Sequence, residues 1–225
     1  DIWGSDHHGY ISRVKAAIDA MGYDSKKLTV LLVQFVSLWR GGEMVQMSSR
    51  SGQFVTLRDL RKEVGNDAAR FYYVMRKSEQ HIDFDLDLAV SQSKDNAVYY
   101  IQYAHARVNS ILNRAKEKGI TFDVASARQV ANLLALETET EILAKLAAYP
   151  EILIRAANVY EPHQIGNYLK DLAALFHGWY AQDGVKFVDE TNIPLSQARL
   201  LLSINVQQVL RNGLELLGVS APEAM

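Results

Sequence analysis

The sequence predicts a mainly α protein of two units, an α/β unit over residues 1–88 and an all-α helical bundle over residues 89–225. In the first unit, a helical apolar repeat is followed by an apolar run of strand length, which is typical of a parallel α/β sheet. In the second unit, apolar residues recur every three or four positions and strand signals nearly vanish. The length of 225 residues exceeds the common domain size of roughly 100–150 residues, which also favours two units.

The first half of the α/β unit shows one helix and one strand. A helix is predicted from Ile11 to Met21, and Gly22 occupies the position of a C-terminal glycine cap. Leu28 to Ser37 is predicted as a single buried strand. The opening residues, Asp1 to Asp6, resemble the end of a strand that runs into a site loop. Because a native start would need Met, we expect the chain to be a fragment whose upstream part is missing.

The second half of the α/β unit begins with a polar loop and ends in an extended segment. Two short helices are predicted, Leu57–Val64 and Ala68–Arg76, with Thr56 and Asp67 as their N-caps. Residues Ile82 to Leu88 alternate apolar and acidic side chains, which indicates a half-exposed extended segment.

Five helical segments are predicted in the bundle. They are Ala89 to Gly119, Ser126 to Ala148, Pro150 to Tyr160, Pro162 to Gln182 and Pro194 to Leu217. Three begin at a proline, which the first turn of a helix tolerates, and Gly218 stands where a C-cap is expected.

Composition excludes several classes of protein. The chain has no cysteine, which excludes a disulfide framework and thiolate metal sites. No apolar run approaches the ~20 residues that cross a bilayer, and no secretion signal is present. We therefore expect a cytoplasmic protein without membrane contact, with a monomer as the default. The formal net charge of -2 means that any nucleic-acid surface must be a local patch.

Trp3 to His8 is the first candidate site. A glycine after a strand lets a ligand approach the backbone, and the Asp6 carboxylate can accept two hydrogen bonds from a ribose diol. A tight turn capped by Asp6 explains the same residues equally well. The adjacent histidines point apart on a strand and no third ligand follows at metal spacing, so we expect no metal here.

The polar loop from Val45 to Leu57 is the second candidate. Small hydroxyl residues and Gly52 favour mobility, and Arg50 can present a forked cation to phosphate oxygens. Such a loop suits the stabilisation of charge on a leaving pyrophosphate. A plain surface loop is the alternative, and composition leaves both interpretations open.

One face of the first bundle helix is the third candidate. At ~100° per residue, Tyr100, Tyr103, Arg107 and Arg114 fall within roughly 60° of one another. A neighbouring apolar arc can face the core; its members are Val98, Ile101, Ala104, Val108, Leu112 and Ala115. Tyrosine and arginine on an open face suit stacking on unpaired RNA bases and pairing with phosphates. Tyrosines that cap the core edge beside solvated arginines are the alternative.

Other titratable residues are interpreted as structural. Asp83, Asp85 and Asp87 lack the loop glycine and the later glutamate of a calcium loop, so we expect a solvated strand face. His163 and His177 are expected at the core edge or surface of the bundle.

The motifs also occur in a recognisable order. Trp3 to Tyr10, Leu31 to Phe35, Met47 to Gly52 and Ala68 to Phe71 follow one another as at the end of a class I synthetase catalytic domain. Further on, Tyr99 to Arg107 and Gln208 to Val219 closely match an anticodon-binding domain. In order and spacing, the chain resembles the arginyl-tRNA synthetases over nearly its whole length.

This resemblance implies that residues 1–88 are the α/β end of a Rossmann-type catalytic domain, with a counterpart of its Lys-Met-Ser-Lys-Ser loop, and that residues 89–225 are the helical anticodon-binding domain. It implies ATP contacts for Gly4, Asp6, His7 and Met47, an arginine contact for Gln34, catalytic roles for Ser48 and Arg50, and tRNA contacts for Tyr100, Tyr103, Arg107, Tyr180 and Met225. The implied partners are tRNA(Arg), ATP and L-arginine. ATP is the substrate, Mg²⁺ is expected in the intact enzyme, and no bound metal site is expected in this fragment.

The chain departs from the family signature at Gln46 and Ser49, where the signature has lysines. Their loss removes compact charges beside the pyrophosphate and leaves Arg50. The His-Ile-Gly-His type motif and the upstream arginine pocket are absent from these 225 residues, so we expect no aminoacylation by this chain alone. Two alternatives remain: a non-catalytic RNA-binding or adaptor protein, and a synthetase for cysteine or methionine. The absence of cysteine argues against the cysteinyl version.

Overall fold

The computed structural model describes residues 1–47 and 54–225, and its strands form two small sheets. In the first sheet, β1 (Ile2–Gly4) pairs in parallel with β2 (Leu31–Val33). In the second, β3 (Val36–Arg40) lies between β4 (Glu43–Met44), which is antiparallel, and β5 (Ile82–Asp85), which is parallel. Parallel pairing places the carboxyl ends of β1 and β2 side by side.

The prediction of one buried strand from Leu28 to Ser37 was wrong. The chain leaves the first sheet after Val33 and enters the second at Val36. Between them, the Gln34 amide donates to the Ser78 carbonyl at 2.9 Å, and Phe35 is 63% exposed. An apolar run shows that residues favour strands, but it does not show which partner strand each of them pairs with.

The helices before the bundle are α1 (Ile11–Ala20), α2 (Leu57–Val64), α3 (Asn66–Val74) and α4 (Leu86–Val90). Thr56 caps α2 as predicted, because its hydroxyl accepts a hydrogen bond from the Asp59 amide at 3.1 Å. The prediction of Asp67 as a cap was wrong: Gly65 alone separates α2 from α3, so α3 begins before Asp67. The extended segment ends at Asp85, whose carboxylate accepts from the Leu88 amide and starts α4.

The bundle consists of α5 (Ala97–Glu117), α6 (Val124–Gln129), α7 (Glu137–Ala147), α8 (Tyr149–Asn158), α9 (His163–Ala181) and α10 (Ile193–Leu216). The prediction of continuous helix from Ala89 was wrong at its start, because Asn96 interrupts it: its Nδ2 donates to the carbonyls of Ala89 and Ser91, and its Oδ1 caps α5. The predicted helix from Ser126 is likewise divided between α6 and α7.

The core of the bundle lies where α10 packs against α5 and α9. Side chains with no exposed surface line this contact, among them Ile101, Leu172, Phe176 and Leu210. The predicted apolar arc of α5 faces this core: Val98, Ile101, Ala104, Val108 and Ala115 are buried, and Leu112 is half-buried. The arc is therefore confirmed, and it leaves the opposite flank of α5 outside the core.

A buried ion pair near the start of α10 and a glycine turn after its end connect this helix to neighbouring elements. Arg199 Nε on α10 lies 2.8 Å from Glu139 Oε1 on α7, and Arg199 also donates to the Lys186 carbonyl, which positions the segment before α10. After α10, Gly218 has φ of +68°, and the Arg70 guanidinium lies where a side chain would stand. Arg70 Nε donates to the Leu217 carbonyl, so α3 is attached to the end of the bundle.

None of the helices in the described parts of the chain is long and apolar enough to cross a membrane.

Candidate nucleic-acid interface

The tyrosine and arginine face of α5 remains accessible. Tyr103 is 37% exposed, Tyr100 and Arg107 are half-buried, and Arg114 is exposed. Tyr180 on α9, which is also 37% exposed, lies across from them. The structure therefore brings together the tyrosines and Arg107 that were singled out from the sequence, although they come from two helices.

Arg107 is stacked between two aromatic rings. Its Cζ lies 4.4 Å from the centroid of the Tyr103 ring and 4.3 Å from that of Tyr180. Each contact is a cation–π interaction of about 0.5–1 kcal/mol at a partly exposed site. The Tyr99 ring stacks beside Tyr103 at 6.0 Å. The result is a row of flat groups of the kind on which RNA bases stack.

His177 on α9 holds Arg107 from the inner side. Arg107 Nη1 lies 2.8 Å from His177 Nδ1, and His177 Nε2 lies 3.1 Å from the Tyr100 carbonyl oxygen. A guanidinium can only donate, so Nδ1 accepts, and Nε2 carries the proton that it donates to the carbonyl. Burial, assisted by the nearby Arg107 charge, lowers the pKa of His177 and keeps the ring neutral, despite the opposing effect of the carbonyl.

A cleft of about 930 Å³ adjoins this row along the carboxyl-terminal half of α5. Ser110, Asn113 and Arg114 form its α5 side, and Tyr180 and Lys186 contribute to the other side. Lys186 pairs with Asp189 at 3.7 Å, while Arg114 has no ion pair with any described residue. The cleft therefore contains the Arg114 guanidinium, which suits a phosphate next to a stacked base, although the same lining also carries the Glu117 carboxylate.

Met225 ends a segment that lies along α5 after α10. Its side chain is 53% exposed.

Four of the residues predicted to contact ATP or arginine, Gly4, Asp6, His7 and Gln34, lie at the carboxyl ends of β1 and β2, whereas Met47 follows β4. Gly4 ends β1, and Gln34 follows β2; Ser5 Oγ donates to Gln34 Oε1 at 3.0 Å and joins the two segments. A side chain at Gly4 would stand 2.6 Å from the Asp6 carboxylate in its present position, so Asp6 would have to move. His7 Nε2 lies 3.6 Å from Asp6 Oδ2, and both side chains are exposed. Ligands of open α/β sheets bind at this edge.

Residues 48–53 of the second candidate fall outside the described residues. Ser48 and Arg50 lie there, as does Ser49, while Met47 is described and is 42% exposed. Their predicted roles remain predictions.

The acidic segment has structural partners. Asp83 accepts from Trp39 Nε1 at 3.0 Å, Asp85 caps α4, and Asp87 accepts from the Gly41 amide at 2.6 Å. Over residues 1–47 and 54–225, no three His, Asp or Glu side chains are grouped as metal ligands.

Reasoning from the sequence missed His177 as part of this interface, although it placed the residue at the core edge. The signal was available: His177 lies three residues before Tyr180, so both side chains lie on one face of α9. Tyr99 was also missed, although it lies four residues before Tyr103 and therefore next to it on the same face of α5.

Comparison with known proteins gives consistent matches. The model of the DALR anticodon binding domain matches residues 101–225. An arginine–tRNA ligase of Acinetobacter baumannii (strain AYE) is 82% identical over 225 residues, covering 100% of this chain and 37% of the relative. The chain therefore spans little more than a third of the length of such curated relatives.

Solved structures agree. A protein described as an arginyl-tRNA synthetase from Campylobacter jejuni superposes with a TM-score of 0.85 at 33% identity, covering 100% of this chain and 47% of that one. The Thermus thermophilus arginyl-tRNA synthetase superposes with a TM-score of 0.73 at 26% identity, covering 100% of this chain and 40% of that one.

Proposed function

Because this chain belongs to the DALR anticodon-binding domain family, we propose that it binds the anticodon arm of tRNA(Arg) as part of an arginine–tRNA ligase. The RNA-contacting residues are Tyr100, Tyr103 and Arg107 on α5 together with Tyr180 and Met225. In this role the bundle selects the tRNA, and the upstream part of the enzyme carries out the chemistry.

The observation that carries the proposal is the stacking of Arg107 between the rings of Tyr103 and Tyr180, beside an open cleft. Both rings are about a third exposed, so an unpaired base can add to the row without removing an existing contact. Stacking on one aromatic ring contributes ~1–3 kcal/mol per base. The Arg107 charge is already oriented by His177, so little side-chain entropy is lost when a phosphate or base binds.

In the intact ligase, the arginine carboxylate attacks the α-phosphate of ATP, pyrophosphate leaves, and the adenylate passes its acyl group to the terminal ribose of the tRNA. Gly4, Asp6 and His7 contact the adenosine, with Met47 nearby, and Gln34 faces the amino acid. The support for Gly4, Asp6, His7 and Gln34 is their common place at the carboxyl ends of β1 and β2. Ser48 and Arg50 act on the departing pyrophosphate, and Mg²⁺ accompanies the ATP.

The adaptor alternative is less favoured, since the relatives that match the whole chain are named arginine–tRNA ligases. We propose that the protein acts as a monomer in the cytoplasm.

Direct binding tests the proposal. The purified chain is titrated with tRNA(Arg) and with an unrelated tRNA at about 0.15 M salt, because phosphate contacts weaken as salt rises. We expect binding that favours tRNA(Arg) by roughly tenfold or more, as expected for base-specific contacts. Equal affinity for both tRNAs would refute the anticodon reading. The same chain should show no arginine-dependent ATP–pyrophosphate exchange. Robust exchange would refute the inference that the reaction also needs the part of the ligase that precedes this chain.

A further inference from the structure

The last residues of the chain come after α10 and lie alongside α5 without forming helix or strand. From Val219 onward the backbone has no regular hydrogen-bonding partner strand, yet Val219 is buried and its amide donates to the Leu214 carbonyl. A segment of this kind is held only if side chains satisfy its backbone groups.

A row of side chains on α5 supplies those partners. Gln102 Nε2 donates to the Ser220 carbonyl at 3.0 Å, His105 Nδ1 donates to the Pro222 carbonyl at 2.8 Å, and Asn109 Nδ2 donates to the Glu223 carbonyl at 3.1 Å. Positions three and four apart lie on one helix face, so these donors form a stripe. The residue numbers of the acceptors in the tail increase in the same order as those of the donors on α5, so the tail runs in the same direction as α5.

The lengths agree with this arrangement. Seven residues of helix from Gln102 to Asn109 rise about 10 Å. Three residues of nearly extended chain, from Ser220 to Glu223, also span at most about 10 Å.

Two of the three donors, Gln102 and Asn109, are fixed in orientation by a further hydrogen bond. Gln102 Nε2 also donates to Asp67 Oδ2 on α3 at 2.9 Å, and the Ser220 hydroxyl donates to the same carboxylate. Asn109 Oδ1 accepts from Gln207 Nε2 on α10 at 2.9 Å, which turns the Asn109 amide nitrogen towards the tail. His105 has no exposed surface, and its Nε2 has no hydrogen-bond partner in the described structure, so the ring contributes its single polar contact to Pro222.

The stripe and the tyrosines lie on different sides of α5. On the circumference of α5, Asn109 and Tyr103 are about 120° apart, and the exposed residues Ser110 and Asn113 lie between them. Both line the cleft that Tyr180 borders. On the surface of α5, the stripe that holds the tail therefore lies on one side of Ser110 and Asn113, while Tyr103 and Arg107 lie on the other.

We propose that Gln102, His105 and Asn109 are positioning residues that clamp residues 220–225 along α5, so that the end of the chain, Met225, forms the second side of the surface that receives an unpaired nucleotide. This inference rests on the proposed function. The three residues act on the RNA through the tail, and their loss weakens binding because the tail becomes mobile.

The test uses variants of His105 with the whole chain. His105→Asn keeps an amide donor near the position of Nδ1, whereas His105→Leu removes it. We expect His105→Leu, and a chain ending at Ala221, each to weaken tRNA(Arg) binding about 5- to 10-fold, the loss typical of one or two hydrogen-bonded contacts. His105→Asn should stay within about twofold of the wild type, and Asn109→Asp, which turns a donor into an acceptor, should weaken binding as His105→Leu does.

A double change separates this clamp from a general effect on the fold. In the chain ending at Ala221, His105→Leu should cause no further loss of affinity, since the tail through which His105 affects RNA binding has already been removed. An additional loss there, or full affinity of His105→Leu in the complete chain, would overturn the proposal.

The backbone mobility of the tail can be measured without RNA. In ¹⁵N relaxation measurements, residues 223–225 should be ordered in the wild type and in His105→Asn, and mobile in His105→Leu. If the wild-type chain does not bind tRNA(Arg), the proposed function fails, while the mobility data still decide the clamp: a tail that stays ordered in both His105→Leu and Asn109→Asp overturns it.

Discussion

Replacing Arg107 tests the interface most directly. Arg107→Ala removes the two cation–π contacts with Tyr103 and Tyr180 and the hydrogen bond to His177. The cation–π contacts contribute about 0.5–1 kcal/mol each, and a hydrogen bond with a charged donor about 1.5–3 kcal/mol when buried. Because Arg107 is half-buried, solvent reduces these values, and we expect the free energy of unfolding to fall by about 1–2 kcal/mol.

The effect on RNA binding should be larger than the effect on stability. Arg107→Ala removes one charge that can meet a phosphate and leaves the two tyrosine rings without the group that spaces them. We expect the Kd for tRNA(Arg) to rise about 10- to 100-fold, which corresponds to about 1.4–2.7 kcal/mol. The slope of log affinity against log salt should fall by about one unit.

Arg107→Lys separates charge from shape. Lysine keeps the charge but lacks the flat fork that stacks between two rings and reaches His177. We expect a Kd about 5- to 20-fold above that of the wild type, an estimate that follows from the loss of one stacked or hydrogen-bonded contact. Arg155→Lys, at an exposed arginine of α8, is the matched control and should bind as the wild type does. Binding by Arg107→Lys and Arg107→Ala that equals the wild type would refute the stacking argument.

Three further changes probe the same structure. Tyr103→Ala should weaken tRNA(Arg) binding by about 1–3 kcal/mol with an unchanged helical circular dichroism spectrum, whereas Tyr103→Phe should bind normally; unchanged affinity of the alanine variant would contradict the assignment. Glu139→Gln leaves Arg199 buried without its countercharge, so urea unfolding should report a loss of about 3–5 kcal/mol, and a loss well below about 1 kcal/mol would contradict that role. Burial lowers the pKa of both His105 and His177 below 6.5, so the unfolded chain binds more protons than the folded chain in acid. The free energy of unfolding should be highest above about pH 6.5 and should fall towards pH 5 by at most ~1.4 kcal/mol per pH unit for each histidine. If His105→Asn leaves the dependence of this free energy on pH unchanged, the contribution of His105 is contradicted.

Several features of the fold and the site were accessible from the sequence because they depend on local periodicity. The spacing of three and four residues identified the helices of the bundle, the buried arc of α5 and the open face with Tyr103 and Arg107. Thr56 was recognisable as a cap from its own chemistry, and Gly218 as a turn from its position after an apolar repeat. These predictions needed no knowledge of what packs against the segment.

Pairings between distant segments were decided only by the tertiary structure. The run from Leu28 to Ser37 is mostly apolar along its length, yet its two halves join different sheets, because strand partners lie dozens of residues away. His177 contacts Arg107 across 70 positions of sequence, and His105 contacts Pro222 across 117. Periodicity along one helix shows which face is polar, but the partner of that face depends on how the helices are arranged in space, and that arrangement is set by the packing of the whole core.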